Sequence, residues 1–226
     1  MTTEFLWGGP KPPTRGPKPA LDLARIAAAA VAVADAENLA AVSMQRVAAD
    51  LGYTKMSLYR YLPGKAELVA LMVEHAMGAP PSLAATHWRD GLKTWAHRLL
   101  DGLLRHPWAL EALTQPRPVG PNEMGWMEAA LSLLLDTGLT AHERLDTVAL
   151  LAGQVRVIAQ QARASQHAEA DLITAITTAV TEHGDRYPAI AATMAATANT
   201  DGSDQAFDFG LDRILDGLQI LIDQRA

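Results

Sequence analysis

The sequence predicts an all-α protein in which a small N-terminal helical domain precedes a larger helical body. Three observations support this prediction. Apolar residues recur every three or four positions along most of the 226 residues, and no stretch alternates convincingly between apolar and polar residues as a strand does. Alanine, the strongest helix former, occupies 42 positions. Hydrophobic residues make up 49% of the chain, which at this length is enough for a core without disulfides or structural metal.

The first twenty residues differ from the rest because they are rich in proline and glycine. Residues 10–19 contain five prolines around Lys11, Arg15 and Lys18. We interpret residues 1–20 as a disordered basic arm. Such an arm can contact DNA phosphates or a minor groove, or it can be a solvated spacer.

Four helices are predicted in the next sixty residues, each with a recognisable start or end signal. Asp22, Ser43 and Thr54 are good N-caps for the first three. Gly52 ends the second helix, and the Pro63-Gly64 pair ends the third. The predicted helices cover residues 22–37, 43–51, 55–61 and 65–79.

The body is predicted to continue as helices to the C-terminus. A proline-rich loop at residues 115–121 and a polar loop at residues 199–204 interrupt it. Residues 184–198 are rich in alanine but contain Gly184 and Pro188, so they fit either helix or loop. The predicted helices cover residues 83–105, 107–114, 122–138, 141–166, 168–183 and 204–225.

The composition excludes several classes of protein. With no cysteine, the chain cannot use thiolate chemistry, cysteine-ligated zinc or a secreted disulfide framework. Its longest wholly apolar run is nine residues, 26–34, which is half of a membrane-spanning helix. The N-terminus lacks the apolar stretch of a signal peptide. We therefore expect a cytoplasmic protein with no membrane partner.

The net charge of −6 conceals an uneven distribution. Residues 1–65 contain eight Lys and Arg against five Asp and Glu, whereas residues 66–226 contain eleven against twenty. Phosphate binding requires clustered cations, and only the N-terminal third supplies a basic excess. The charge distribution predicts a basic binding head on an acidic body.

Residues 47–61 satisfy the constraints of a helix-turn-helix. The small Ala48 lets two helices approach closely, and Gly52, four residues later, permits the sharp turn. The apolar contacts between the two helices come from Val47, Leu51, Tyr53 and Leu58. Because several independent positions agree, we predict a DNA-binding motif rather than two unrelated core helices that meet at a glycine.

These residues carry a family resemblance. Residues 21–78, above all Leu58-Tyr59-Arg60-Tyr61 followed by Lys65, closely resemble the N-terminal domain of tetracycline-repressor-type regulators, the TetR/AcrR family. Residues 207–218 resemble the closing helix of the tetracycline-repressor subgroup, and residues 80–199 match only in helical layout and length. The resemblance implies a helix-turn-helix DNA-binding domain at residues 21–66 and a ligand-binding and dimerisation domain at residues 67–226.

The resemblance also implies DNA contacts at individual positions. Candidates for base contacts in the major groove are Lys55, Met56 and Ser57 at the start of the recognition helix, together with Gln45 and Arg60. Candidates for phosphate contacts are Ser43, Tyr59, Tyr61 and Lys65. For the two tyrosines, partial core packing is the alternative. Gln45 and Met56 depart from the tetracycline repressor's own pattern, so its operator is not expected here.

The last predicted helix has a wide apolar stripe. Phe207, Ile214 and Leu221 recur every seven residues, with Leu211 and Leu218 beside them. Gly210 and Gly217 share this spacing although each costs about 1 kcal/mol of helix propensity, which suggests that another helix approaches closely. In the family this helix and the preceding long one form a four-helix dimer interface. We expect a homodimer on a palindromic double-stranded operator; the alternative is that the stripe packs within its own subunit.

Four tryptophans are concentrated in a chain that has few aromatic residues. Trp88, Trp95, Trp108 and Trp126 fall within the body, and the first two share a helix face. The resemblance implies that they line an inducer cavity, with Gln154 and also His97, Arg156 and Gln160 as polar contacts. Alternatively the tryptophans are plain core residues, and Arg156 or Gln160 belongs to the dimer interface.

The remaining polar residues indicate no catalytic or metal site. The seven histidines show no paired metal-ligand spacing, and four aspartates of the last helix, at residues 204, 208, 212 and 216, fit a solvated acidic face. No nucleophile elbow or phosphate-binding loop is present. We therefore predict a regulator without metal or cofactor, most simply a repressor released from its operator by an unidentified small-molecule inducer, with residues 65–78 as the lever. The alternatives are a DNA-binding dimer without ligand response and an all-α enzyme that uses the same cavity.

Overall fold

The computed structural model describes residues 3–8, 21–83, 87–197 and 206–225 of the chain. Over these ranges the regular elements are helices and none is a strand, which confirms the all-α prediction. Two short 3-10 turns occur at Leu39–Ala41 and Gly184–Arg186. The α-helices are α1 (Glu4–Trp7), α2 (Leu23–Ala36), α3 (Met44–Asp50), α4 (Lys55–Tyr59), α5 (Lys65–Met77), α6 (Trp88–Arg105), α7 (Ala109–Ala112), α8 (Pro121–Ser132), α9 (Ala141–His183), α10 (Pro188–Thr197) and α11 (Ala206–Asp223).

Helices α2, α3 and α4 form a small head around a shared apolar core. Each contributes side chains with no solvent exposure: Ile26, Val47 and Leu58. The predicted N-caps of the first two helices are confirmed, since Asp22 accepts a hydrogen bond from the Arg25 amide and Ser43 from the Arg46 amide. Thr54 does not cap α4 in this way; its hydroxyl instead lies 3.0 Å from the Ser57 hydroxyl.

Helix α5 connects the head to the body. Its residues 67–74 are buried, because α2 packs against it on the head side and α6, α7 and α8 on the body side. The predicted domain boundary between residues 66 and 67 falls in the first turn of this helix and stays a prediction. One continuous helix therefore reaches from the head into the body.

The body is organised around α6, α9 and α11. Basic residues spaced four apart on α6 face the aspartates of α11: Arg89 contacts Asp216 at 2.5 Å, Lys93 contacts Asp212 at 2.5 Å and His97 contacts Asp208 at 2.9 Å. The hydrogen bond from Lys93 lowers the pKa of Asp212, and those from Arg213 and Arg89 lower the pKa of Asp216. The aspartates predicted to form a solvated face thus form an ion-pair ladder, apart from Asp204, which lies outside the described residues.

Several predicted helix limits differ from the structure. Residues 141–166 and 168–183 form one helix of 43 residues, because residues 160–170 contain neither glycine nor proline to end it. Residues 188–197, left open between helix and loop, are helical. Helix α8 stops at Ser132 rather than at Gly138, which has a left-handed φ of 75° after a run of turns. Helix α7 is shorter than predicted.

The segment at residues 3–8 departs from the predicted disordered arm. Residues 4–7 form a single helical turn, and the Trp7 indole donates a hydrogen bond to the Val119 carbonyl at 3.1 Å. Phe5 and Leu6 pack against the core, because this stretch has the consecutive apolar side chains that residues 9–20 lack. The rest of the predicted arm lies outside the described residues.

No described helix is both long enough and apolar enough to cross a membrane. The longest, α9, carries Glu143, Arg144, Asp146 and Arg156 in its N-terminal half.

The contact between Glu143 and Arg225 predicts a pH-dependent contribution to stability. Hydrogen bonds from Arg225, then from the Thr140 backbone and hydroxyl, lower the pKa of Glu143 from its ordinary 4.5 to about 2. Its stabilising effect is therefore complete above about pH 4.5 and is lost as the pH falls toward 2. We expect Arg225→Ala to unfold at lower urea concentration than the wild type at pH 7, by a small margin because the pair is exposed.

Urea denaturation of both proteins at pH 7, 5, 4 and 3 measures this effect. The gap between the two midpoints should narrow below pH 4.5, and Gln224→Ala, an exposed neighbour, should show no such trend. A gap that stays constant across the series contradicts the assignment.

Candidate functional site

The turn between α3 and α4 has the geometry that the sequence predicts for a helix-turn-helix. Gly52 adopts a left-handed φ of 76°, and the Tyr53 amide donates a hydrogen bond to the Ala48 carbonyl at 2.8 Å. No atom lies within 4 Å of the place where a Cβ on Gly52 would be, so the glycine is required by backbone conformation and not by crowding. The turn sets the angle between α3 and α4.

Helix α4 presents an exposed, partly cationic face. Met56 is 71% exposed and Tyr59 39%, while the Lys55 ammonium lies 5.4 Å from the centre of the Tyr59 ring. Ser57 is partly buried, and Ser43, Gln45, Arg60 and Lys65 are exposed around the same surface. The fold therefore leaves seven of the nine predicted DNA-contact residues exposed on or beside α3, α4 and the start of α5, with Ser57 partly buried among them; their contacts with DNA stay predictions.

Tyr61, the ninth predicted residue, has an internal contact. It is partly buried, and its hydroxyl donates a hydrogen bond to the Leu21 carbonyl at 2.8 Å. This bond joins the end of α4 to the beginning of α2, as expected for the core-packing alternative. A phosphate contact would require this hydroxyl to serve a second partner.

One exposed cation on the head is engaged by neighbouring acids. Arg46 lies 2.9 Å from Glu37 and 3.1 Å from Asp50, and the hydrogen bonds that its guanidinium donates to Asp50 and Glu37 raise its pKa. By contrast, no carboxylate in the described part of the chain pairs with Lys55, Arg60 or Lys65. The uncompensated positive charge of the head is thus concentrated at α4 and the N-terminus of α5.

An apolar cavity of about 480 Å³ lies in the body, between α5, α6, α8 and α9. Of the predicted ligand-binding residues, Trp95, Trp126 and Arg156 line it, and the two tryptophan rings have their centres 6.2 Å apart in an edge-on arrangement. The Trp95 indole donates to the Trp126 carbonyl at 2.8 Å, and the Trp126 indole donates to the Gly78 carbonyl at 3.1 Å. Sequence reasoning missed most of the lining: Met77, Leu99, Leu103, Leu113, Glu123, Met127, Leu145, Asp146, Val148, Ala149 and Ala152.

Five predicted cavity residues lie elsewhere, among them His97, which contacts Asp208 of α11, and Gln160, which is exposed on α9. Trp88 is buried at the start of α6, two helical turns before Trp95. It therefore lies on the same face of the helix as Trp95 but too far toward the N-terminus to reach the cavity. Gln154 points at Gly210 of α11, because residues 152 and 154 lie on different sides of α9. Trp108 contacts the head, since its indole donates to the Asp35 carboxylate at 2.6 Å.

A second groove, of about 460 Å³, lies on the other side of Met77 and Trp126. It is lined by exposed polar residues of α6, including Arg98, Asp101 and Arg105. Because its lining is more polar than apolar, it is the weaker candidate for a small-molecule site. The apolar cavity is the candidate ligand site.

The predicted dimer stripe on α11 packs largely inside the subunit. Leu211 and Leu218 are buried, and Phe207, Ile214 and Leu221 pack partly against the core. Gly210 faces Gln154 of α9. Gly217 is exposed, and no atom of the subunit lies within 4 Å of the place where a Cβ on this residue would be. Leu211 and Leu218 are thus covered within the subunit, and the assignment of the stripe to a dimer interface stays a prediction.

The outer side of α9 and α11 carries its own apolar side chains. Phe209 is 64% exposed and Ile220 60%; on α9, Leu150 is 56% and Val157 49% exposed. Leu150 and Val157 are seven residues apart and so share one face of the helix. Sequence reasoning missed this face because its residues are interleaved with those of the internal stripe.

Among the described residues, no three His, Asp or Glu side chains are grouped so that they could hold a metal ion. The nearest approach of such groups is the ladder between α6 and α11, where basic side chains neutralise the carboxylates.

Comparisons with known proteins match both parts of the chain. A family model described as "Bacterial regulatory proteins, tetR family" matches residues 26–72, and one described as "Tetracyclin repressor-like, C-terminal domain" matches residues 80–222. The HTH-type transcriptional repressor DrrR1 of Streptomyces coeruleorubidus is 41% identical, over 99% of this chain and 87% of its own.

Solved structures agree. Apo ActR from Streptomyces coelicolor matches with a TM-score of 0.79 at 25% identity, covering 93% of this chain and 100% of that one. ActR in complex with actinorhodin matches with a TM-score of 0.75 at 26% identity, covering 88% and 95%.

The conformation of Gly52 predicts how the motif responds to substitution. Because only the left-handed φ requires glycine, Gly52→Ala should destabilise the protein by about 1–2 kcal/mol without a steric clash. Gly52→Asn should cost less, since asparagine tolerates this conformation better. Urea denaturation of both variants measures the difference; equal losses for alanine and asparagine would show that crowding and not backbone strain selects the glycine.

Proposed function

Because the chain belongs to the tetR family of bacterial regulatory proteins, we propose that it is a homodimeric transcriptional repressor, bound to a palindromic DNA operator and released from it by a small-molecule inducer. The family is one of transcriptional regulators, so the chain is not an enzyme. The observation that supports the proposal is a pair of features joined by one helix. The head has the exposed cationic face of α4, the body has the apolar cavity, and α5 reaches from one to the other. Its expected location is the cytoplasm, where the operator is.

The head supports binding in the major groove of DNA. Helix α4 begins with Lys55, Met56 and Ser57, and residues at the N-terminal end of a recognition helix are those that meet base edges. A lysine can pair with guanine acceptors, and a methionine can contact a thymine methyl group. Lys65 lies at the N-terminus of α5, where backbone amides favour a phosphate.

The outer face of α9 and α11 supports dimerisation. Four large apolar side chains there are about half exposed or more: Phe209, Ile220, Leu150 and Val157. Exposed apolar residues on adjacent helices are typical of a subunit interface. No atom of the subunit lies near the place where a Cβ on Gly217 would be, so a partner helix can approach closely there. Two heads related by a two-fold axis would then read the two halves of a palindrome.

The cavity supports a small-molecule inducer. Its volume of about 480 Å³ lies within the usual range for ligand sites, and its lining is mainly aliphatic and aromatic. The similar protein ActR has been solved in complex with actinorhodin. We therefore propose that the ligand of this chain is also a largely apolar molecule with aromatic rings. Trp95 and Trp126 would contact it directly.

One route from the cavity to the head runs through α8 and α5. The Glu74 carboxylate of α5 accepts hydrogen bonds from the Asn122 amide at 2.8 Å and the Glu123 amide at 3.0 Å, at the N-terminus of α8. Helix α8 carries Trp126 and Met127 of the cavity wall. A ligand that displaces this wall therefore pulls on α5 through Glu74.

A second route joins the body to α2 directly. The Asp35 carboxylate of α2 accepts the Trp108 indole hydrogen bond and lies 2.9 Å from the His106 Nδ1 atom. Both residues immediately precede α7, and Leu113, which follows α7, lines the cavity. We refer to Asp35, His106 and Trp108 as the Asp35 latch.

Release requires that the inducer bind better to one head arrangement than to the other. Two recognition helices fit successive major grooves only at one spacing, so a ligand that favours a different spacing weakens operator binding. The size of the response equals the difference in ligand affinity between the two arrangements. A DNA-binding dimer without ligand response is the alternative, and it predicts no such difference.

Footprinting on the promoter region beside the protein's own gene tests the proposal. We expect a protected palindrome, and we expect actinorhodin, used as the probe ligand, to quench tryptophan fluorescence and to weaken protection. A folded dimer that gives no protection at low salt would refute the repressor proposal. Protection that no cavity ligand weakens would support the alternative without ligand response.

Two lysines on the head are expected to differ in their effect on DNA binding. Lys55→Ala should weaken binding to the specific operator by about 1–3 kcal/mol, because a base contact is lost. Lys65→Ala should weaken binding to all sequences and reduce the salt dependence by about one unit of slope, because a phosphate contact is lost.

Gel-shift titrations over a range of salt concentrations, on operator and on unrelated DNA, separate the two effects. Arg163→Ala provides the matched control, since it removes an exposed cation of α9 away from the head. Unchanged affinities in both lysine variants would contradict the docking arrangement.

The Asp35 latch predicts a variant that binds DNA but responds poorly to inducer. Trp108→Phe keeps an aromatic ring in the buried position and removes the indole N–H that Asp35 accepts. We expect a stability loss of about 1 kcal/mol and at least a fivefold smaller effect of actinorhodin on operator affinity.

Gel shifts with and without actinorhodin measure the change. Trp88→Phe, a buried tryptophan on α6 outside the latch, is the control and should keep the wild-type response. A full response in Trp108→Phe would exclude the latch as a route of coupling.

A further inference from the structure

The lining of the apolar cavity includes three charged side chains, and they are not equivalent. Glu123 is held by Arg117, whose guanidinium nitrogens lie 2.6 Å and 2.9 Å from its two carboxylate oxygens. The Arg117 side chain is 5% exposed, so this pair is a structural contact within the body wall. Glu123 is therefore neutralised, and it offers no net charge to a ligand. The other two charges are Arg156 and Asp146, both on α9.

Arg156 has no hydrogen-bond or ion-pair partner in the part of the chain that the structure describes. It is partly buried, and its neighbours in the cavity wall on α9 are Val148, Ala149 and Ala152. A charge that is partly removed from water without a partner is unfavourable, and proteins normally supply an opposite charge or an acceptor. An arginine left without one in a cavity is therefore set up to bind a group that arrives with the ligand.

Asp146 lies too far along α9 to be that partner. The two residues are ten positions apart on the same straight helix, which corresponds to about 15 Å along its axis. Asp146 is exposed at the cavity's rim and, like Arg156, has no partner among the described residues. Its negative charge repels an anion at that end. The cavity therefore has one end, at Arg156, that attracts an acidic group and another end, at Asp146, that disfavours one.

We propose that Arg156 is the specificity-determining residue of this cavity. The inducer is then an apolar molecule with aromatic rings and one acidic group, and this group binds to the Arg156 guanidinium. A carboxylate or a sulfonate provides the two or more acceptor oxygens that the fork of a guanidinium binds well, and an ionised phenol provides one charged acceptor. The proposal rests on the inducer cavity of the proposed function and adds the ligand's chemical class and orientation to it.

Two dyes with the same rings test the charge preference directly. The anion 8-anilinonaphthalene-1-sulfonate and the neutral N-phenyl-1-naphthylamine differ by the sulfonate alone, and both fluoresce on entering an apolar site. We expect the wild type to bind the anion at least tenfold more tightly than the neutral dye. Arg156→Gln should lower the affinity for the anion by at least tenfold, in line with the loss of a charge-assisted hydrogen bond, and leave the neutral dye within twofold.

Two further variants make the result specific. Arg156→Lys keeps the charge but not the fork of donors and should retain part of the preference. Arg163→Gln removes an exposed cation of the same helix and should leave both affinities unchanged. Far-UV circular dichroism and size-exclusion chromatography of each variant check that folding and assembly are unaltered.

The outcomes separate this proposal from the proposed function. If Arg156→Gln binds the two dyes as the wild type does, or loses both equally, Arg156 does not select an acid and the proposal is overturned, whether or not the protein binds its operator. If Arg156→Gln instead weakens the dimer while Arg156→Lys does not, Arg156 is an interface residue, which also overturns it. If the dye preference behaves as expected but footprinting finds no operator, the site assignment stands and the repressor proposal fails.

Discussion

The buried carboxylate of Glu74 holds the head and the cavity wall in a fixed relation. It is 8% exposed, so its charge must be met inside the protein, and the two N-terminal amides of α8 meet it where the helix end carries partial positive charge. The Asn122 side chain returns a hydrogen bond to the Glu74 carbonyl at 2.9 Å. A Cβ at residue 120 would lie 2.3 Å from the Glu74 Cδ atom, so only glycine lets the chain pass this close. The C-terminal end of α5 and the N-terminal end of α8 therefore move as one unit.

This unit belongs to the side of the body that contacts the head. The ion-pair ladder between α6 and α11, together with the packing of both on α9, fixes the side of the body that faces away from the head. On the other side, α5, α7 and α8 each contact the head or carry a contact to it, and each contributes a residue to the cavity or lies next to one. Coupling needs an element with two arrangements that both sites can bias. In the proposed function the α5–α7–α8 side is this element, since α5 packs on α2 of the head and the same side contributes Met77, Leu113 and Trp126 to the cavity wall.

The head was predictable from the sequence because its signals are local. Each of these signals depends only on residues within four positions of it in the sequence. They are the helix caps at Asp22 and Ser43 and the left-handed glycine at residue 52. The cavity was not predictable to the same degree. Its lining comes from five separate segments, and helical periodicity tells which face a tryptophan is on but not how far along the helix the cavity lies. Trp95 and Trp126 line it, whereas Trp88 and Trp108 are aromatic residues of the same kind in different surroundings.

The last helix shows why periodicity alone assigns an interface ambiguously. A heptad stripe identifies a face that must be covered, but it does not say whether the cover is the same subunit or another. In α11 the strongest stripe, with Leu211 and Leu218, is covered by the subunit's own helices, and the weaker outer set, with Phe209 and Ile220, is left exposed. The aspartates between the two sets explain the arrangement: they need the basic residues of α6, and that requirement orients α11 with its regular stripe inward. The acidic excess of the body is thus partly used within the fold, and the positive charge left uncompensated on the head stays at α4 and the start of α5, where a phosphate backbone would lie.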